Sequence, residues 1–326
     1  MKLKSFKIIV SYILPIFLFI LFFYYVDINQ IFNMLKKINI FWFLVVCLSF
    51  GLMIFLTAVR AKYIIGRSSN IFCYFFSNSI SSLLRNILPS RSGEISFPII
   101  WKRYCNVPLS RGTATLITTR VYDFLISMLI FLISFILLRH SMPEVFKKFW
   151  FILLIALIFI LLLTILILPQ TKIWKHKIRK NIKLVSSEEN KFWNKIIRWL
   201  YSLLENFEKI NSQKIHIFVF FVSCIIVFFR LFFIYSSIRT FGFILSIEEI
   251  ILMSFFLFWT KMVQTVGNLG TQEAGIAGAL IVFGVAKDEA IALAISTHIL
   301  QLIPIVMLAF ISYIVLILLY TKGKKV

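Results

Sequence analysis

Three carboxylates stand apart in this chain because of what surrounds them. It has 13 Asp and Glu residues, and only Glu94, Asp123 and Glu273 lie within apolar sequence. An ionised carboxylate placed there costs on the order of a few kcal/mol unless it is paired or hydrated, so each is a candidate for charge pairing, ion coupling or ligand contact. Cations stand nearby in the sequence. Arg85, Arg91 and Arg120 accompany the first two, with Arg60 ahead of them; Arg230, Arg239 and Lys261 accompany the third, followed by His298 and Gln301. Arg120 and Asp123, three apart, share one helix face. His298 follows Ser296 and Thr297 and reads either as a proton-titrating group or as a hydrogen-bonded interior histidine. The plainer alternative for all these charges is that they tie the helices together as ion pairs.

The polar residues recur in order. Arg60, Glu94 in LPSRSGE, Val107 and Arg120 in TTRVYD are followed by Arg239, Glu273 in GNLGTQE, Val285 and His298 in STHILQ. The step from Arg to Glu is the same in both series, and so is the step from Val to Arg120 or His298. Identities are few, so the repeat rests on these landmarks and on the topology below. A duplicated membrane unit with interior charges is a common transporter plan.

The elements that must position these residues follow from composition. With 60% hydrophobic and 15% charged residues, the chain reads as an integral membrane protein. Runs near the length of about 20 residues needed to span a bilayer occur at 8–25, 40–59, 113–138, 149–168, 215–238 and 290–319. Two further apolar stretches, 71–88 and 249–266, lead into the Glu94 and Glu273 segments. Both are broken by polar residues, Pro or Gly and read as helices that stop inside the membrane.

The net charge of +22 is distributed mainly between apolar runs, which argues for topology rather than nucleic acid. Lys2, Lys4 and Lys7 precede the first run, Lys322, Lys324 and Lys325 follow the last, and the largest basic block covers 170–214. The positive-inside rule places both termini and that block in the cytoplasm, with Arg60, Lys62 and Arg67 on the same side. Stretches 68–112 and 240–289 then each begin and end on one face, and on opposite faces. Each reads as a re-entrant helical hairpin, turning at 88–94 and at 267–273. The first run, followed by Tyr24, Tyr25 and Asp27, reads as an uncleaved helix rather than a signal peptide. Trp174, Trp193 and Trp199 among the basic residues give an amphipathic helix around 191–210, suited to an anionic leaflet.

Gly93, Gly267, Gly270, Gly275 and Gly278 suit turns and close helix contacts, and a glycine-rich turn before a helix could offer free N–H groups to an anion such as a lipid phosphate. The four cysteines, Cys47, Cys73, Cys105 and Cys224, have no CxxC spacing and imply neither a disulfide framework nor a metal site. HExxH, GxSxG and P-loop motifs are missing, and PSRSGE lacks the histidine that phosphoryl transfer would use. No cofactor is expected.

LPSRSGEISFP, the downstream TTRVYDF and the C-terminal GNLGTQEAGIAGALIVFGV resemble the membrane region of the lysylphosphatidylglycerol synthase family, also called the flippase-like domain family. The resemblance covers roughly residues 5–320. It is most specific at Gly270, Glu273, Ala274 and Gly275, and at Pro89, Gly93 and Glu94. It implies a polytopic protein that moves lipids between leaflets or accompanies envelope-lipid pathways. The bifunctional synthases add a soluble aminoacyl-transferase domain, whereas this sequence stops at TKGKKV, so lysyl transfer is not expected. His298 stands where relatives often carry Arg, and LGTQE departs from the usual interior of that motif.

The expected architecture is one all-α membrane domain over 1–326, with about six full spans and two oppositely inserted hairpins. Its units would be an inverted repeat of 40–138 and 215–320 and a basic cytoplasmic loop at 170–214. The expected function is a flippase or scramblase-like transporter of the cytoplasmic membrane. Arg91, Glu94, Arg120, Asp123, Glu273, His298 and Gln301 would contact the lipid, supported by Arg60, Arg85, Arg239, Gly93 and Gly270. Expected partners are an anionic phospholipid or lipid-linked sugar, another copy of the chain, or an envelope-biogenesis transferase. A non-transporting partner of such a transferase and an intramembrane glycolipid transferase stand as alternatives.

Overall fold

The computed structural model describes residues 28–66, 70–88, 92–138, 158, 191–210, 212–260 and 265–321. The expected span at 8–25, all of that at 149–168 but residue 158, most of the basic loop, both termini, Arg91 and Lys261 lie outside the described residues. All regular structure among the described residues is helical. In chain order the helices are α1 (Ile28–Lys36), α2 (Ile40–Ile65), α3 (Ile71–Ile87), α4 (Ser96–Cys105), α5 (Leu109–Leu138), α6 (Lys191–Ile210), α7 (Gln213–Arg239), α8 (Ile247–Thr260), α9 (Thr271–Val282) and α10 (Lys287–Thr321). Two short 3₁₀ turns, Ser92–Ile95 and Val266–Asn268, sit between α3 and α4 and between α8 and α9.

Local chemistry sets the boundaries. Asn39 caps α2 by accepting from the Trp42 amide, and Gly66 ends it in the left-handed conformation at φ 64°. Asn70 caps α3 in the same way, and Leu88, extended ahead of Pro89, ends it. Ser246 and Glu249 form a reciprocal capping box at the start of α8, with bonds of 2.7 and 3.2 Å. Pro304 inside α10 removes one amide from the helix ladder.

Four helical stretches, Ile40–Ile65, Leu109–Ile130, Gln213–Arg239 and Lys287–Leu319, are long and apolar enough to cross a membrane. Their outward faces carry large apolar side chains such as Leu48, Phe221, Phe228, Phe310 and Leu318, while Ser49, Arg60, Ser223, Ser296 and Thr297 are buried. That distribution suits a hydrocarbon surround, where exposed apolar groups cost nothing and polar ones must find partners inside. Helices α2 and α7 run antiparallel along their length: the Asn39 amide donates to Thr240 O at one end, and Tyr63 stacks on Phe218 near the other. The principal core joins Val46, Phe50, Phe233, Met253, Leu280 and Leu293 from five of the helices.

Between these long helices lie two helical hairpins. In the first, Trp101 Nε1 donates to Asn78 Oδ1 at 2.9 Å, and Cys73 near the start of α3 is bonded to Cys105 at the end of α4, so the two helices are antiparallel. This disulfide corrects the expectation drawn from cysteine spacing. The pair is 32 residues apart in sequence and is brought together only by the hairpin. In the second, Gly275 of α9 lies against Thr260 and Leu257, and Gly278 against Phe256, so α8 and α9 are antiparallel as well. The two turns meet: Asn268 Nδ2 donates to Asn86 Oδ1 across 2.9 Å. Helix α6, where tryptophan and lysine spacing predicts an amphipathic helix, docks on α5 through Ser202–Ser110 and Asn206–Arg111.

Candidate functional site

The first hairpin turn is built on a close approach. A Cβ on Gly93 would collide with the backbone of Arg85 and come within 2.5 Å of Leu84 O, so only glycine lets the chain fold back against the end of α3. The turn then delivers Glu94 to α5, where Arg120 Nε donates to Glu94 Oε2 at 2.6 Å. Arg120 also reaches Asp123 Oδ2 at 3.2 Å and lies over the Phe97 ring of α4, 5.8 Å from its centroid.

Asp123 is held from the other side by Arg60. Nη1 and Nη2 of the guanidinium donate to Oδ1 and Oδ2 at 2.5 and 3.1 Å, and Nη1 also donates to Ser223 Oγ of α7. This fork-to-fork pairing of two buried groups is the strong form of an ion pair. Arg60 is 2% exposed, inside α2 rather than at its cytoplasmic exit as topology alone suggests. Its partner Asp123 lies 63 residues on, which is why a local reading of charge at a helix end missed it.

Two more arginines complete the cluster. Arg85, in the last turn of α3, and Arg230, midway along α7, are within electrostatic range of Arg120 and Asp123, and Arg85 also of Glu94. Each makes only a 3.4 Å contact to a serine hydroxyl, Ser82 and Ser127 respectively, and neither is bonded to a carboxylate among the described residues. Both are partly accessible. Among the described residues, four guanidinium groups therefore lie around two carboxylates, leaving an excess of positive charge there. From the sequence, Arg230 belongs with the second half; the structure places it with the first. A lone arginine in the run FFRLFF was the signal for it.

The second hairpin turn is closed. Gly267, Asn268 and Gly270 all have positive φ, at 68°, 55° and 80°. That turn brings the Gly270 amide onto Glu273 Oε2 at 2.8 Å, while Glu273 Oε1 meets His298 Nδ1 of α10 at 2.7 Å. Both side chains are at most 5% exposed. The Glu273 carboxylate thus occupies the Gly270 amide of the glycine-rich turn. Beside it, Gln272 Nε2 donates to Gln301 Oε1 at 2.8 Å, while Gln301 Nε2, Ser296 Oγ and Thr297 Oγ1 are buried without a hydrogen-bond partner among the described residues.

Of the expected site residues, Glu94, Arg120 and Asp123 come together with Arg60 and Arg85, and Glu273, His298 and Gln301 form the second group. Arg239 joins neither. It lies over the Trp42 ring at the end of α7, so its sequence correspondence with Arg60 has no counterpart in environment. Gln272, Asn86 and Asn268 were not singled out from the sequence, since polar residues at helix ends ordinarily serve as caps, nor were Ser127 and Ser223, whose arginine partners come from other helices.

A family model described as the lysylphosphatidylglycerol synthase transmembrane region matches residues 6–309. No curated protein and no solved structure matches the chain. The match covers most of the chain, and with the apolar helices it identifies a multi-pass membrane protein that belongs to this family and has a role connected with membrane lipid.

Proposed function

We propose that this member of the lysylphosphatidylglycerol synthase transmembrane family is a lipid flippase or scramblase-like transporter that carries an anionic headgroup past the meeting point of the two hairpins. The observation behind this reading is the first cluster, in which Arg85 and Arg230 stand partly accessible without carboxylate partners beside the Arg120–Glu94 pair. A phosphate is the anion whose geometry suits several converging guanidinium groups. Arg120 exchanges Glu94 for the phosphate, and Glu94 rebinds it afterwards. Arg60 and Asp123 hold α2, α5 and α7 in register beneath. The acyl chains stay in hydrocarbon throughout.

In this reading the hairpins are re-entrant and enter from opposite faces, as two halves of an inverted repeat over 40–138 and 215–320. The supports are the charge distribution along the sequence, the antiparallel pairing within each hairpin and the Asn86–Asn268 contact between their turns. About six full spans lie in the cytoplasmic membrane with both termini in the cytoplasm. The lipid is an anionic phospholipid or a lipid-linked sugar phosphate.

The test is translocation of a fluorescent phosphatidylglycerol in liposomes containing the purified chain. R85A and R230A each lower the rate roughly tenfold or more, the loss expected when a charge-assisted contact of about 1.5–3 kcal/mol disappears. Protein that moves no lipid, while the same substitutions lower a transferase activity in cells, would favour the partner role instead. Product formation from a lipid-linked donor would favour the transferase.

A further inference from the structure

We infer that the arginine cluster at the first hairpin turn selects a headgroup with two negative charges, a phosphate monoester or a bridging diphosphate, over a phosphodiester with one. The inference rests on the headgroup reading above and narrows its substrate class.

The charges of the cluster can be paired off. Arg60 and Arg120 bracket Asp123, and Arg120 holds Glu94, so two guanidinium groups are matched by two carboxylates. Arg85 and Arg230 are the surplus. Arg85 reaches the same place because Gly93 packs on its backbone, which sets it beside Glu94, the next residue of the turn. Arg230 reaches it through Ser127: Nη1 of Arg230 donates to Ser127 Oγ at 3.4 Å, and Ser127 Oγ donates to the Asp123 carbonyl at 2.6 Å, one turn back on α5. Among the described residues, the carboxylates that act on Arg85, Arg120 and Arg230 are Glu94 and Asp123. Glu273 is engaged elsewhere, by the Gly270 amide and His298. A guanidinium stays charged at physiological pH, so the described cluster holds two positive charges in excess.

Charge left uncompensated in a membrane interior is costly, and that cost ranks the headgroups. A zwitterionic headgroup leaves the surplus at two, a phosphodiester leaves one and a dianion leaves none. The ranking holds when Arg120 changes partner, since the displaced Glu94 remains in the turn and in the count. The donors agree with the charges. Arg85 and Arg230 each hold only a 3.4 Å serine contact, so with Arg120 three guanidinium groups from α3, α5 and α7 are placed to share phosphate oxygens. A phosphodiester offers two unesterified oxygens to them, a monoester three and a diphosphate bridge four. Ile95, directly after Glu94, Ile99, one turn on, and Ile117, one turn before Arg120, are exposed, which gives acyl chains an apolar surface beside the charges.

Calorimetric titration of the full chain in phosphatidylcholine nanodiscs, with empty discs as the blank, tests this with dioctanoyl lipids that differ in headgroup. Phosphatidic acid supplies the monoester, CDP-diacylglycerol the bridging diphosphate and phosphatidylglycerol the phosphodiester, at about pH 8, where a phosphate monoester carries close to two charges. At least one dianion is expected to bind about tenfold or more tighter than phosphatidylglycerol, and the tighter of the two names the source. R85A and R230A, each with a single surplus charge, should bring that ratio to within about threefold, while R85K and R230K, which keep the charge, should retain it. The ratio is taken within one preparation, so loss of folded protein does not change it. Glycerol 3-phosphate, a dianion without acyl chains, should bind at least about tenfold more weakly than phosphatidic acid; equal binding would assign the cluster to a soluble phosphate and overturn the lipid reading. A wild type that binds phosphatidylglycerol as tightly as both dianions overturns the inference and leaves the headgroup reading standing. So does a ratio unchanged in both alanine variants, or one lost in both lysine variants. A wild type that binds none of the three lipids overturns the headgroup reading itself.

Discussion

The two hairpin turns share a layout, a glycine that permits the turn followed by a glutamate that reaches toward a long helix, yet they reach opposite electrostatic ends. Glu273 is partnered at both oxygens: the Gly270 amide holds one and His298 the other, with at most 5% of either side chain exposed. Glu94 is held by Arg120 alone among the described residues, and that pair is 23% and 35% exposed, in a cluster with more guanidinium groups than carboxylates. A glutamate in a membrane helix therefore does not state its role by its presence. What separates the two is how far each carboxylate is enclosed: at the second turn both oxygens are held in a buried pocket, at the first the pair is partly exposed beside further guanidinium groups.

The largest effect should come from the support beneath the first turn. Removing one member of the buried Arg60–Asp123 pair, in R60A or D123N, should cost about 3–5 kcal/mol by leaving the other charge buried and unpaired, read as loss of thermal stability of the purified protein. The double variant R60M/D123L should recover much of it. A single substitution that costs under about 1 kcal/mol would show that this pair is not the foundation of the cluster.

The glutamates themselves come next and compare the turns directly. E273Q should cost about 1.5–3 kcal/mol, since it weakens two buried charge-assisted bonds, whereas E94Q should cost under about 1 kcal/mol because its ion pair is partly exposed. Equal losses of stability would erase the distinction between a closed and an open turn. The glycines provide a third comparison, with a smaller difference. G93A drives a methyl group into the α3 backbone and should cost about 1–3 kcal/mol, while G275A meets first the Thr260 hydroxyl, at 2.7 Å, which can rotate away. A greater loss in G275A would mean that the second hairpin is the tighter of the two. The smallest effect concerns their contact: a double-mutant cycle of N86A and N268A should give a coupling of about 0.5–1.5 kcal/mol. Zero coupling would separate the turns energetically.

Much of this arrangement was readable in the sequence, for a physical reason in each case. Apolar length marks the helices, and α2, α5, α7 and α10 fall where such runs occur. Glycine and proline mark the breaks, so the turns at Gly93 and Gly270 were expected close to where they lie. The pairing of Arg120 with Asp123 follows from helical periodicity alone. The Cys73–Cys105 bond was not readable, because two cysteines 32 residues apart have no local signature and meet only when α3 and α4 fold back on each other. Arg239 misled in the opposite direction: a matching place in the landmark series gave it a matching role, but it projects onto Trp42 at the end of α7.

The residue types and their local order determined that this is a helical membrane protein with charged residues in its interior and two glycine-broken segments ending in glutamate. Each of those properties depends on neighbours within a few turns of helix. Only the tertiary structure decided which charge meets which: Arg60 with Asp123 across 63 residues, Asn86 with Asn268 across 182, Arg230 with the first cluster and His298 with Glu273. Such pairings depend on how far each helix is rotated and how deep each hairpin reaches. These are set by the packing of side chains over the whole bundle, and no local stretch of sequence contains that information.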